Sequence, residues 1–282
     1  MTERVFEPRG PFELGRSIGF LEQWAAGSVP TGDPVLRFAY CSEHDWKPVG
    51  VRVSQNGPAV HISCSGTDVS DEVARILSID VDATPIAAIA ARDPVVASLV
   101  ESAPGLRPVC FWTPWEAACW AVLSQRTSMR AAAGIKRRIG EQLGTTVEVD
   151  GLPLIAFPSP EVVLSGASLP AVPPVKAERL QELAKAALDG PLTTETLRAV
   201  PPSQAVATLR ELPGVGPFSA ALILVRGAGA PDVFTMDEPR TLAAVREAYE
   251  LPSTVGEVEY RRISEGWRPL RSWVTFWLRA RG

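Results

Sequence analysis

The sequence predicts an α+β part over residues 1–85 followed by an all-helical part over residues 86–282. Three observations lead there. Short alternating runs broken by Gly, Pro, Asn and Asp are confined to the first part. From residue 86 onward, apolar residues recur at helical spacing between Pro or Ser openings and Gly stops. A composition of 282 residues with 46% apolar side chains supplies a sizeable core.

The elements follow in order. "FELGRSIGFLEQWAA", residues 12–26, predicts one helix ahead of the strands. "VLRFAY", "VGVRVSQ" and "AVHISCSG" predict three short strands, and "DVSDEVARILSI" opens on an Asp/Ser cap and begins the helical section. "TPWEAACWAVLSQRTSMRAAAGIKRRIGEQLG" starts on a Thr cap with Pro at the first helical position, and sets Trp115, Ala118, Cys119, Val122 and Leu123 on one face. "SPEVVLSGA", "PPVKAERLQELAKAALDG", "PSQAVATLRELPG" and "GPFSAALILVRGAG" repeat the same formula, and "LRSWVTFWLRARG" closes the chain.

Composition excludes several function classes. The longest apolar stretches, such as Ala220 to Val225, fall far short of the ~20 residues of a membrane helix. The charged "MTERVFEPRG" has no apolar signal-peptide core, so a cytoplasmic monomer without a membrane partner is expected. Cys41, Cys64, Cys110 and Cys119 form no CxxC pair, and the only histidines are His44 and His61. That argues against a zinc or iron–sulfur site and for buried free thiols. The net charge is −4, but residues 1–100 carry 8 basic and 13 acidic side chains and the remainder 20 and 19. The basic charge is bunched at Arg126, Arg130, Lys136, Arg137 and Arg138, and again at Arg261, Arg262, Arg268, Arg271, Arg279 and Arg281. Such patches either neutralise phosphates or form solvated helix faces.

"LPGVGPFSAALI", residues 212–223, joins two helices by a short turn. Gly214 and Gly216 tolerate positive φ and keep side chains out of the way, and Pro217 suits the first turn of the next helix. Exposed N–H groups beside a helix start bind anions, so the expected occupant is a DNA phosphate, held by Gly214, Val215, Gly216, Pro217 and Ser219 without sequence preference. An ordinary packing corner uses the same glycines. Some twenty residues on, "PDVFTMDEPRTLAAVREAYEL" places Asp237 and Glu238 at the mouth of another helix, whose apolar face is Leu242, Val245 and Tyr249.

A hairpin of this kind, a spacer of this length and an acid at a helix start resemble the bacterial 3-methyladenine DNA glycosylase II family, the AlkA type of the helix-hairpin-helix superfamily. The resemblance extends to "GFLEQWA", "APGLRPVCFWTPWEAACWAVLSQRTS", "FPSPEVV" and "GWRPLRSWVTFWLRA", in order. It implies an N-terminal domain like half of TATA-binding protein (1–85), then a helix-hairpin-helix glycosylase domain (86–282). The implied activity is base flipping of a damaged purine in double-stranded DNA and hydrolysis of its N-glycosidic bond. No cofactor is required. By resemblance, the carbonyls of Arg210, Leu212 and Val215 would hold a structural Na+ or K+.

The sequence departs from the family pattern at several positions. An ungapped match puts Glu238 where the family has its catalytic Asp; residue type and capping preference favour Asp237. The position of the lyase lysine in bifunctional relatives is Phe218, which implies a monofunctional enzyme. For the base pocket, Phe218 and Phe20 keep aromatic rings, a family Tyr falls on Leu222 and a family Trp falls near Arg279. Trp273 or Trp277 is a replacement candidate, with core packing the alternative, and an Arg in the pocket would favour a neutral lesion. In "LSQRTS" Gln125 is followed by Arg126 where the family has an apolar wedge; Arg126 either stacks into the duplex or contacts a phosphate. Two other classes stay open: a non-catalytic binder of damaged DNA, which would show salt-sensitive affinity without base release, and a helical protein–protein module, which would show neither.

Overall fold

The structure, a computed structural model, describes residues 2–26 and 32–280; Arg281 of the basic run lies outside them. The chain opens with β1 (Thr2–Phe6) and α1 (Leu14–Gln23), then β2 (Leu36–Cys41), β3 (Pro48–Asn56), β4 (Ala59–Cys64) and α2 (Ser70–Ile76). The four strands form one antiparallel sheet in the order β1-β4-β3-β2, with Val53 opposite Ile62 and Val5 opposite His61. The period-2 runs put Phe38, Val51, Val53, Val60 and Ile62 into one core with Leu14, Ile18 and Leu21 of α1 and with Val73, Ile76 and Leu77 around α2. β1 was not expected. Its sequence, TERVF, is almost wholly exposed, so no alternation marks it, and pairing to β4 decides its state.

The helical part runs α3 (Pro85–Arg92), α4 (Pro94–Ser102), α5 (Pro114–Ser124) and α6 (Met129–Leu143). It continues, after an interruption, with α7 (Pro160–Leu164), α8 (Pro174–Leu188), α9 (Thr194–Arg198), α10 (Pro202–Arg210) and α11 (Pro217–Leu222). A wide π-type turn over Ile223–Gly227 prolongs α11, and α12 (Pro239–Ala248), α13 (Glu257–Glu265) and α14 (Arg271–Ala280) complete it. The Thr113 hydroxyl accepts the Glu116 N–H at 3.1 Å, so the expected cap starts α5. α5 is buried on all sides, as a helix apolar all round must be. Its one acid, Glu116, is neutralised by Lys136 of α6 at 2.9 Å.

The interruption corrects the all-helical expectation. β5 (Thr145–Val149) and β6 (Leu152–Ala156) form a hairpin across Asp150 and Gly151, at φ 50° and 77°. Asp-Gly between alternating residues is a strong hairpin signal, so the sequence carried it. The hairpin packs on the N-terminal sheet, and a Cβ at Gly50 of β3 would lie 2.6 Å from Val149 Cγ2. Only glycine permits that approach.

The helices gather around two cores. One is built on α5, α8, α10 and α11. The other joins α3 and α4 to α12, α13 and α14, so the chain returns to its early helices at its end. Arg107, fully buried at the junction with the sheet, donates to the carbonyls of Pro11, Ser78, Val81, Arg9 and Gly10 at 2.7–3.0 Å. Five carbonyls satisfy one guanidinium, which makes its burial tolerable.

Candidate active site and nucleic-acid interface

The hairpin between α10 and α11 is closed by Leu212 N–H donating to Leu209 O at 3.2 Å and Val215 N–H donating to Leu212 O at 3.0 Å. Its two glycines do different work. Gly214 has φ +82° and a Cβ there would lie 2.5 Å from Arg179 Cδ. Gly216 has φ −85° and ψ 179°, extended backbone open to any residue, with nothing within 4 Å of a built Cβ. The expectation of positive φ at both is therefore corrected for Gly216, whose role is an open approach to the start of α11. Val215 and Ser219 are buried, so they present main chain rather than side chain to that face.

A polar chain ties the hairpin to the end of α5. Gln125 Nε2 donates to Gly214 O at 2.6 Å, and Arg179 Nη1 donates to Gln125 Oε1 at 2.8 Å. Lys176 Nζ donates to Leu123 O, Gln125 O and Thr127 Oγ1 at 2.7–3.0 Å, and burial draws its pKa down. These bonds hold a turn in which Arg126 is exposed at φ +52°, a strained conformation for a side-chain-bearing residue.

Beside the hairpin, between the two helical cores, lies a cleft of about 700 Å³. Trp120, Phe218 and Leu222 line one wall, Thr241, Phe276 and Arg279 the other, and Asp237 and Glu238 its edge. Glu238 sits at the N-cap of α12 yet makes no capping bond. Its Oε2 accepts the Thr241 hydroxyl at 2.7 Å, and its Oε1 pairs with Arg279 Nη1. Asp237 is exposed and turns back on Thr235, Oγ1 to Oδ2 at 3.2 Å.

The remaining sequence candidates divide. Phe218, 45% exposed, and Leu222 face the cleft as expected. Arg279 does too, but Glu238 offsets its charge, so the repulsion of a cationic base expected from it is not delivered by an unpaired guanidinium. Phe20 lies behind the wall, its ring 5.0 Å from Phe276. Trp273 and Trp277 are corrected: both are buried in the second core, Trp273 under Arg107 and Trp277 bonded to Leu106 O at 3.0 Å. Helical spacing explains this. Ser272, Thr275, Phe276 and Arg279 share the cleft-facing side of α14, and the two tryptophans share its core side. Of the two readings open for the C-terminal basic run, the ion pairs of Arg261, Arg262, Arg268 and Arg271 with Glu257, Glu259, Glu265 and Asp232 favour a solvated helix face. Arg126, Arg130 and Arg138 are exposed without a recorded ion pair among the described residues.

Sequence reasoning missed Trp24, Phe111, Trp120 and Arg226, all of which line the cleft. Trp24 and Phe111 pack edge to face at 4.5 Å although they are far apart in sequence. No local signal could have paired them.

The fold and site thus define a helical hairpin beside an aromatic cleft, with an acid at the start of the helix that follows. No protein-family model matches the chain. It is 26% identical over 204 residues to the DNA-3-methyladenine glycosylase of Bacillus subtilis, covering 71% of this chain and 67% of that one. It is 34% identical over 176 residues to DNA-3-methyladenine glycosylase 2 of Escherichia coli, covering 61% of this chain and only 58% of that relative's length. Its fold superposes on a 3-methyladenine DNA-glycosylase from Archaeoglobus fulgidus with a TM-score of 0.79 at 21% identity, over 99% and 97% of the two chains. In sequence the chain is similar to AlkA-type 3-methyladenine DNA glycosylases, and it shares the fold of the solved one from Archaeoglobus fulgidus.

Proposed function

We propose that this chain is a monofunctional DNA N-glycosylase that flips an alkylated or otherwise damaged purine out of double-stranded DNA and hydrolyses its N-glycosidic bond. The observation that carries the reading is the Glu238 carboxylate, held by Thr241 and Arg279 in the lining of a cleft it shares with Phe218 and Phe276. In this scheme the bond from C1′ to the purine breaks, the base leaves with the electron pair, and water adds to C1′. A fixed carboxylate stabilises the positive charge developing on the sugar and orients the water. Asp237, exposed and tied only to its neighbour Thr235, is the alternative for that role.

The hairpin main chain, Gly214 to Ser219, would anchor a phosphate, and Arg126 in its strained turn would fill the gap left by the flipped nucleotide. Phe218 in place of a lysine supports a reaction without a lyase step; the nearest lysine to the hairpin in sequence, Lys185, pairs with Glu182 at 2.6 Å. Among the described residues the Arg210 and Val215 carbonyls have no recorded main-chain partner outside the helices, and Leu212 O accepts one N–H. That oxygen set fits the chemistry of an alkali cation, which would brace the turn. The four-stranded sheet with its two helices supports the reading of residues 1–85 as a unit like half of TATA-binding protein.

The test is single-turnover release of free base from a duplex carrying one damaged purine, with enzyme in excess. Release is expected, slowed at least ~10²-fold by Glu238→Gln, as for a displaced catalytic group. Full activity in both Glu238→Gln and Asp237→Asn would end either assignment. Borohydride trapping of a covalent DNA adduct would end the monofunctional reading. Tight binding of lesion duplex without release would leave a damage binder.

A further inference from the structure

The wide turn after α11 carries Arg226 into the back of the cleft. There its guanidinium lies over three rings, 4.6 Å from the centroid of Trp24, 5.3 Å from Phe276 and 5.4 Å from Phe20. This is an aromatic cage of the kind that holds cations, and the chain's own side chain fills it. Nε donates to Val109 O at 2.8 Å, and Nη2 is buried without any hydrogen-bond partner. Unlike Arg279, Arg226 has no carboxylate partner among the described residues. Burial pulls its pKa down to about 10, which leaves it charged at neutral pH. A buried guanidinium with spare donors and no counter-charge is an expensive arrangement unless something else completes it.

We propose that Arg226 is a specificity-determining residue: by filling the aromatic cage with a cation, it turns the pocket against positively charged alkylated purines and toward neutral damaged purines. Two physical effects act together. A cationic base would be placed near an unneutralised positive charge in a poorly solvated cleft, where repulsion is strong. The π faces of Trp24 and Phe276 that would otherwise attract it are already engaged. This inference rests on the glycosylase reading for its substrate, but its geometry stands on the cage alone.

The experiment compares duplexes carrying hypoxanthine, which is neutral, and 7-methylguanine, which is cationic, against an undamaged duplex. Wild type, Arg226→Met and Arg226→Lys are each measured for single-turnover base release and for equilibrium affinity by fluorescence anisotropy at fixed salt. Wild type should favour hypoxanthine at least about tenfold in both readouts, and Arg226→Lys should keep most of that preference. Arg226→Met should erase or invert it. If no base is released from either duplex, the glycosylase reading fails, and the affinity ratio still tests Arg226. Wild type that prefers 7-methylguanine overturns the proposal whether or not the variants fold. So does an Arg226→Met protein with the wild-type circular dichroism spectrum and a ratio within twofold of wild type.

Discussion

Gly214 and Gly216 look equivalent in the sequence, and their alanine variants should fail in opposite ways. Ala at position 214 must adopt φ +82°, which costs about 1–2 kcal/mol for a residue with a Cβ. That Cβ would also sit 2.5 Å from Arg179 Cδ, so Arg179 must move and release the Gln125 carbonyl it holds at 2.8 Å. Loss of one charge-assisted hydrogen bond adds about 1.5 kcal/mol. The total, about 2.5–3.5 kcal/mol, corresponds to a fall in Tm of roughly 4–6 °C for a chain of 282 residues. Ala at position 216 keeps an allowed backbone and meets nothing within 4 Å, so only the weaker N-cap is lost, at most about 1 kcal/mol. Under the proposed function its methyl group stands instead on the surface offered to DNA, and losing one main-chain phosphate contact should weaken duplex binding about tenfold. Thermal unfolding by circular dichroism and anisotropy titrations at fixed salt measure the two effects. A Gly216→Ala protein less stable than Gly214→Ala, or a Gly214→Ala protein within 2 °C (an order-of-magnitude margin) of wild type, would refute the reasoning.

Further outcomes follow from the same contacts. Arg107→Met leaves five main-chain carbonyls without their donor and should cost at least about 3 kcal/mol, read as a lower midpoint in urea unfolding. Lys176→Met frees the turn that holds Arg126 and should slow single-turnover release about tenfold; an unchanged rate would separate that turn from base flipping. All four cysteines are buried, and burial pushes the Cys41 thiol up to about 12 and the Cys119 thiol above its ordinary value. Thiol-reactive reagent at pH 8 (roughly the reference pKa of a free thiol) should therefore label none in the native protein and all in denaturant, with native labelling contradicting the packing.

Much of the fold was legible because its signals are local. The Thr113–Pro114 start of α5, the alternation in β2 to β4 and the proline that opens α11 and α12 are each written within a few residues. The β5–β6 hairpin is equally local, its Asp150–Gly151 turn and short alternating flanks lying inside a stretch whose neighbours are helical. The candidate site was half legible. The hairpin and the acid pair after it are marked by motif and spacing, whereas Glu238, Phe218 and Arg126 are singled out by the family resemblance. Trp273 and Trp277 were misplaced because aromatic residues on an amphipathic helix point to core and cleft alike until the helix phase is known.

The sequence by itself therefore determined strands β2 to β4, the capped start of α5, the hairpin with its acid at a following helix start, and the four thiols without metal-binding spacing. The tertiary structure alone decided which charges remain unbalanced. Arg279 meets Glu238 and Arg271 meets Asp232 across 41 and 39 positions of chain, while among the described residues Arg226 meets three rings and no acid. Local periodicity fixes which face of a helix a side chain occupies. Only packing sets what stands opposite that face, and the strength of a charge depends on its neighbours and on the water they exclude.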